Sequence, residues 1–343
     1  MPAAGSASSS RGSPDLPAAV LAGLGTCLPV TEIHNAALVA RLDTTDEWIR
    51  TRTGITARRR AAPEVSMRDL ACEAGANALR STGLETVGGV VLATTTPDRP
   101  CPAAAPEVAH RLGLGQVPAF DVSAVCSGFV YAVTVAAGLI TSGVADSVLV
   151  VASELYSRIV DPTDRGTAVI FGDGAGAVVL RRGTAAEQGA LLAFDLGADG
   201  SGSDLIHVPG ELEQPDGPRW FRMAGRKVYL RAVEQMAAST SRVLKDCGWS
   251  PETVGALVPH QANGRIIQAV AERLGVPPGK AVCEIARVGN TSAASIPLAL
   301  ATALATGQLA PGARTVLTAF GGGLSWGSAA LTWPQLQPVH SEF

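Results

Sequence analysis

Short apolar runs alternate with longer helix-like stretches along this chain, and that alternation constrains the fold more than any single motif. The runs are Ala19–Gly25, Val87–Thr95, Ala119–Val122, Ser147–Ala152, Ala177–Leu180, Leu191–Leu196, Ala256–Val258, Thr315–Phe320 and Ala329–Trp333. Between them lie Ser66–Thr82, Ala103–Leu112, Ser127–Ser142, Lys227–Cys247, Arg265–Leu274 and Ala293–Thr306. Runs of strand length bounded by Gly, Pro and Asp, separated by stretches of helix length, predict a largely parallel α/β core. With 47% hydrophobic and 17% charged residues, the chain can bury a large one.

An internal echo points to two similar halves. Ile170-Phe-Gly-Asp-Gly-Ala-Gly-Ala-Val-Val-Leu180 and Ala319-Phe-Gly-Gly-Gly-Leu-Ser-Trp-Gly-Ser-Ala-Ala-Leu331 both join a Phe-Gly-rich loop to an apolar strand. The spacing is far longer than a solenoid repeat, so a duplicated domain fits better. The Gly-, Asp- and Pro-rich segment Gly200–Arg219 predicts the break, giving halves 18–200 and 201–343. Met1–Pro17 is rich in Ser, Ala, Gly and Pro and lacks a basic region before an apolar run. It reads as a disordered extension rather than a secretory signal.

The net charge of −3 gives no global attraction for nucleic acid or a membrane surface. The most apolar stretch, Phe129–Ser153, is broken by Gly138, Ser142, Gly143 and Asp146, so it reads as helix, turn and strand. Six dispersed cysteines form no CxxC pair, and five histidines do not cluster. This predicts no metal site and a reduced, cytoplasmic protein. Gly172-Asp-Gly-Ala-Gly176 and Gly23-Leu-Gly25 lack the spacing and helix start of a dinucleotide fingerprint. No Walker motif or Gly-x-Ser-x-Gly elbow is present.

Four places carry side chains or backbone suited to chemistry. Cys126 lies in Ala119-Phe-Asp-Val-Ser-Ala-Val-Cys-Ser-Gly-Phe-Val-Tyr-Ala-Val133, where a strand gives way to a helix. A helix N-terminus favours a thiolate nucleophile, while a small buried core cysteine is the other reading. His260, in Val258-Pro-His-Gln-Ala-Asn-Gly-Arg265, follows a strand and faces either a cleft or the edge of the core. Asn290, in Arg287-Val-Gly-Asn-Thr-Ser-Ala-Ala-Ser-Ile-Pro297, is either a turn former or an oxyanion donor. Gly321-Gly-Gly323 after a strand is either a tight turn or half an oxyanion hole.

Taken together, Ser-Ala-Val-Cys126-Ser-Gly-Phe, His260-Gln-Ala-Asn-Gly-Arg and Gly-Asn290-Thr-Ser-Ala-Ala-Ser resemble the Cys-His-Asn triad of the β-ketoacyl-acyl-carrier-protein synthase III family. Asp46-Glu-Trp-Ile-Arg-Thr-Arg-Thr-Gly-Ile55, Asp161-Pro-Thr-Asp-Arg-Gly166 and Phe320-Gly-Gly-Gly-Leu-Ser-Trp-Gly327 match the same family in the same order. The likeness spans about Val20 to Trp333. It implies a thiolase-like duplicated five-layered αβαβα fold with mixed sheets.

The resemblance also implies a decarboxylative condensation of an acyl-CoA with a malonyl-acyl carrier protein. Cys126 would carry the acyl group, and the N–H groups of Cys126 and Gly322 would form the oxyanion hole. His260 and Asn290 would stabilise the enolate, with no cofactor. Thr44, Trp48, Arg52, Arg165, Gly225 and Asn263 fall at the CoA-binding positions, with Trp48 and Arg165 on either side of the adenine. Cys101 and Phe171 fall at the acyl pocket, where Cys101 replaces a bulky Phe of some relatives and implies more room. Gln261, Arg265, Arg226, Lys227 and Arg231, with Arg222, fall where an acidic carrier protein would dock. A homodimer is also implied.

A starter-unit ketosynthase or a non-condensing acyltransferase of polyketide biosynthesis is the rival on the same fold. An intact Asn290 favours condensation. A thiolase would place a second cysteine near Ala319–Gly323, where this chain has none.

Overall fold

The computed structural model describes residues 16–343. The extension expected over Met1–Pro17 lies outside the described residues except for Leu16 and Pro17, and Pro17 already opens the first strand.

Strand β1 (Pro17–Leu28) is followed by a small pair, β2 (Glu32–His34) and β3 (Ala57–Arg59), flanking helices α1 (Asn35–Val39) and α2 (Asp46–Thr53). Next come α3 (Met67–Thr82), β4 (Val90–Ala93), α4 (Ala105–Arg111), β5 (Ala119–Val122), α5 (Gly128–Thr141), β6 (Ser147–Leu155) and β7 (Asp173–Thr184). The chain continues through β8 (Leu191–Ala198), the ribbon β9 (Ile206–His207) and β10 (Arg222–Met223), and α6 (Gly225–Asp246). It ends with β11 (Ala256–Pro259), α7 (Gly264–Leu274), α8 (Ile285–Val288), α9 (Ser295–Ala305), β12 (Arg314–Gly321), β13 (Ser325–Thr332) and β14 (Val339–Glu342). Every strand and helix expected from the sequence is present.

Six strands form one sheet, β14-β1-β7-β6-β4-β5, and four form another, β11-β12-β13-β8. Helices α5 and α9 lie between them. Their sequences are apolar on every side and carry no charge, which suits a helix covered all round. Phe129, Val133, Ile296 and Leu300 join Val150 and Val178 of the first sheet to Leu317 and Ala329 of the second. Helices α3 and α4 cover the outer face of the first sheet, with Leu70, Ala74 and Val108 against Leu149 and Val179. Helices α6 and α7 cover the second, with Met236, Val243 and Val270 against Leu257 and Val316. These are the five layers that the resemblance implied.

One expectation needs correction. The core is not largely parallel. β1–β7, β6–β7, β12–β13 and β13–β8 are antiparallel, while β4–β5, β4–β6, β11–β12 and β1–β14 are parallel. No α-helix crosses over between β6 and β7 or between β12 and β13, and neighbours joined without a crossover run antiparallel. The order β4-β6-β7-β1 in the first sheet matches β11-β12-β13-β8 in the second, so β8 takes the place in the second sheet that β1 takes in the first. The Gly/Asp/Pro-rich segment lies between β8 and α6, and β14 returns to the first sheet.

The register of the outer helix layer depends on Gly25. A Cβ there would sit 2.1 Å from the Ala78 backbone nitrogen and 2.4 Å from the Ala74 carbonyl oxygen. Strand β1 and helix α3 thus touch backbone to backbone. We expect Gly25→Ala to destabilise the fold by about 1–3 kcal/mol through overpacking, measured by urea denaturation. A shift below about 0.5 kcal/mol would show that the contact yields.

Candidate active site

β5 ends at Val122, and a 3₁₀ turn, Val125–Ser127, leads into α5. Val125 is held at φ 48°, an unfavourable angle for a β-branched residue. Packing fixes this turn from several sides. The Ser127 hydroxyl donates to the Ala124 carbonyl (2.7 Å) and lies 2.7 Å from the Ser325 hydroxyl. Ser325 in turn donates to the Gly322 carbonyl (3.0 Å), which ties the glycine loop after β12 to the turn. A Cβ on Gly321 would lie 2.7 Å from the Cys126 backbone nitrogen, so only glycine fits there. Gly322, the residue expected at the oxyanion hole, packs beside Ile206.

Cys126 is buried at this turn. Burial pushes its thiol up to about 12, the nearby Glu154 charge adds to the rise, and the facing Ser292 hydroxyl opposes it. The thiolate expected at a helix N-terminus is therefore not the resting form; desolvation outweighs the dipole.

His260 follows β11, and its backbone N–H donates to the Thr318 carbonyl of β12 (2.7 Å). The ring is buried, and its Nδ1 lies 2.6 Å from the hydroxyl of Ser295, the first residue of α9. That hydroxyl already accepts from the Gln261 N–H (3.2 Å), so it has its own proton to give. On this ground we assign Nδ1 as acceptor and place the ring proton on Nε2. Burial drives the imidazole down to about 3, opposed by the Ser292 carbonyl facing it. The histidine is a neutral donor.

Asn290 precedes the counterpart of the Cys126 turn. Ser292 stands there at φ 49°, just as Val125 stands at φ 48°. The Asn290 backbone bridges to Ile170 (2.9 Å) and Gly172 (3.0 Å), and its Oδ1 accepts from the Ser292 N–H (2.9 Å). The Nδ2 amide is left to donate. The Ser292 turn thus lies among all three expected groups: its N–H donates to Asn290, its carbonyl faces His260, and it packs against the turn that carries Cys126.

A cleft of about 570 Å³ reaches Asn290 and is lined by Trp48, Arg52, Gly225, Asn263 and Arg265 among others. Asn263 also caps α7, with Oδ1 accepting from the Ile266 N–H (2.9 Å). The Arg165 guanidinium lies over the Trp48 ring at 4.8 Å and donates to the Asp43 carbonyl (2.7 Å). That spacing admits no third plane between them, so a ring entering there must displace Arg165. Thr44 is not in the lining of this cleft, and its buried hydroxyl has no partner among the described residues.

Phe171 is buried in an aromatic cluster, 4.7 Å from Tyr156 and 5.0 Å from Phe221. Cys101 is exposed and does not line the cleft. Arg222, Arg226, Lys227, Arg231 and Arg265 are all exposed. Gln261 is not. It is 1% exposed, its Nε2 donates to the Pro259 (2.7 Å) and Val282 (3.2 Å) carbonyls, and its Oε1 accepts from the Glu284 N–H (2.8 Å). Gln261 is a backbone clamp and cannot dock a partner.

Sequence reading missed Ser292, Ser295 and Glu154. The serines lie inside the Asn290 motif but carried no sign of their partners. Glu154 did leave a signal, a carboxylate closing the apolar run of β6.

The depressed His260 value has a consequence for stability. The unfolded imidazole takes up a proton near 6.5, while the folded one does so only near 3. Stability is fully present above pH 6.5 and falls as pH drops toward 3. In histidine side-chain NMR we expect His260 to show no titration between pH 5 and 8. A midpoint in that window would contradict its burial as a neutral ring.

The comparisons with known proteins agree with this geometry. The family described as 3-oxoacyl-(acyl-carrier-protein) synthase III matches residues 120–200, and its C-terminal counterpart matches residues 244–333. The chain is 54% identical over 328 residues to β-ketoacyl-(acyl-carrier-protein) synthase III 5 of Streptomyces coelicolor, covering 93% of this chain and 98% of that protein. It superposes on the crystal structure of 3-oxoacyl-(acyl carrier protein) synthase III from Pseudomonas aeruginosa with a TM-score of 0.90 at 52% identity, covering 94% of this chain and all of that one (100%). It also resembles the priming β-ketosynthase of a polyketide biosynthetic pathway, with a TM-score of 0.88 at 34% identity over 94% of this chain and 98% of that one. With this fold, these motifs and this level of identity, the chain belongs to the β-ketoacyl-acyl-carrier-protein synthase III family.

Proposed function

We propose that the protein condenses an acyl-CoA starter with malonyl-acyl carrier protein, releasing CO₂ and giving a 3-oxoacyl-acyl carrier protein. The observation that carries this reading is the packing of the Cys126 turn on the Asn290–Ser295 segment, which also holds Asn290 through Ser292 and His260 through Ser295. Family membership supports the reaction class.

In the first half-reaction Cys126 Sγ attacks the thioester carbonyl carbon, the C–S bond to CoA breaks, and the acyl group stays on Cys126. The N–H groups of Cys126 and Gly322 are the oxyanion donors. In the second, His260 Nε2–H and Asn290 Nδ2 donate to the malonyl thioester carbonyl. Loss of CO₂ leaves an enolate that these neutral donors stabilise, and its carbon attacks acyl-Cys126. A neutral His260 suits this task, because a buried donor needs no change of charge before the enolate forms.

Trp48, Arg52 and Arg165 bind the nucleotide end of CoA, with Arg165 swinging off Trp48, while Thr44, outside the cleft lining with a buried hydroxyl, takes no part. Gly225 and Asn263 bind the pantetheine arm. Arg226, Lys227, Arg231 and Arg265 receive the acidic carrier protein; Arg226 and Arg265 at the cleft favour this reading. Six unpaired cysteines support a reducing, cytoplasmic setting. A homodimer would bring the exposed Cys101 of one copy to the other copy's acyl pocket, beside Phe171. Priming of polyketide assembly is the second reading, and the likeness to a priming β-ketosynthase favours it.

Half-reactions measured separately test the roles. Cys126→Ala should form no acyl-enzyme. His260→Ala and Asn290→Ala should acylate within a few-fold of the parent but condense about 10²-fold or more slowly. Equal loss of both half-reactions in all three variants would reduce the trio to a structural cluster. The acyl pocket has its own test. The parent should accept isobutyryl-CoA about as readily as acetyl-CoA, and Cys101→Phe should narrow it to acetyl. Strict acetyl preference in the parent would contradict a role for Cys101.

A further inference from the structure

Glu154 closes the apolar run of β6 and is fully buried (0% exposed). No lysine, arginine or histidine among the described residues forms a salt bridge with it. One carboxylate oxygen, Oε2, accepts from the Thr95 N–H (3.0 Å) and the Thr96 hydroxyl (2.8 Å). The other, Oε1, has no hydrogen-bond partner among the described residues. The hydroxyls of Ser292, Tyr156 and Thr95 are buried and unpaired as well. Buried polar atoms without partners are rare, and a group of them in one place calls for a functional explanation.

These orphans gather behind the nucleophile. The turn that carries Ser292 packs against both β6 and the Cys126 turn, and its hydroxyl lies close to Cys126, Glu154 and Tyr156 without a resting hydrogen bond to any of them. Ser292 is held there by strained backbone, at φ 49°. The site also lacks any other store for the thiol proton, since His260 is a neutral donor engaged with Ser295.

We propose that Glu154 takes the proton of Cys126 through the Ser292 hydroxyl during acylation. The proposal rests on the reading that Cys126 is acylated. As Sγ bonds to the thioester carbonyl carbon, the S–H proton passes to Ser292 Oγ while the Ser292 O–H proton passes to Glu154 Oε1. The tetrahedral adduct then breaks its C–S bond to CoA, and the leaving sulfur recovers the proton by the reverse transfer. The products are acyl-Cys126 and CoA thiol. Glu154 begins and ends as a carboxylate, and no oxidant or reductant is needed. Glu154 does not touch the substrate; it is a positioning residue that acts through Ser292.

Burial makes Glu154 a stronger base than an exposed carboxylate, and the thiol gives up its proton only as the S–C bond forms. Burial pushes the Glu154 carboxyl up to about 7, opposed by its bonds to Thr95 and Thr96 and by the facing Ser292. The titratable groups facing it are Cys126 and Tyr156, both pushed up by burial and neutral at that pH. Only the ionised carboxylate accepts a proton, so acylation should rise with pH through about 7.

The test is the rate of acylation by acetyl-CoA from pH 5.5 to 9, read by intact-protein mass after rapid quenching. The parent rate should climb about tenfold per pH unit below the bend and level off above it. Glu154→Gln should lower the plateau about 10²-fold and abolish the bend. Ser292→Ala should do the same, and the double variant should be no slower than either single one. Glu154→Asp should restore the bend. Unchanged thermal melting would separate these effects from misfolding, and Ser292→Ala carries the test if Glu154→Gln does not fold. An unshifted bend in either single variant, or a double loss equal to the product of the single losses, would overturn the relay. A parent enzyme that never becomes acylated would overturn the function reading instead.

Discussion

The site depends on the meeting of two strained turns between the sheets. One precedes α5 and holds Val125 at φ 48°; the other precedes α9 and holds Ser292 at φ 49°. Each is the counterpart of the other in the duplicated half. The two pack together directly. Duplication therefore does more than enlarge the core. It points two helix starts at one spot, where one turn supplies a cysteine and the other a small alanine, Ala293, which packs close to Gly128. Glycine at 321 lets the end of β12 close the third side. A side chain at any of these contacts would separate the nucleophile from its partners.

Desolvation sets the charge state of everything gathered there. It raises the Cys126 thiol and the Glu154 carboxyl, and it lowers the His260 imidazole. All three shifts favour the neutral form. A pocket of neutral donors suits a reaction in which negative charge appears first on a thioester oxygen and then on an enolate. Each donor is already oriented by a fixed bond: His260 by Ser295, Asn290 by Ser292 and Asn263 by its cap on α7. Reorganisation at the moment of reaction is correspondingly small.

Much of this was legible in the sequence because it is local. Apolar runs marked the strands, and the longer stretches between them marked the helices. The spacing around Cys126, His260 and Asn290 carried the family resemblance. What was not legible depends on distant pairing. Strand direction depends on which strands meet, so the mixed sheets could not follow from alternation alone. Gln261 reads as a polar surface residue, yet Pro259, Val282 and Glu284 claim all its bonds. The resting thiol was misjudged because a helix start is visible in sequence and the depth of burial is not. Glu154 was passed over because its neighbours come from the segment after β4 and the turn before α9, far apart along the chain.

The most direct measurement is the intact mass of the protein after incubation with acetyl-CoA, with the adduct mapped by peptide analysis, followed by addition of malonyl-acyl carrier protein. The expected result is a single acyl addition on Cys126 that disappears as 3-oxoacyl-acyl carrier protein forms. An adduct on any other cysteine, or an acyl group on Cys126 that malonyl-acyl carrier protein leaves in place, would contradict it.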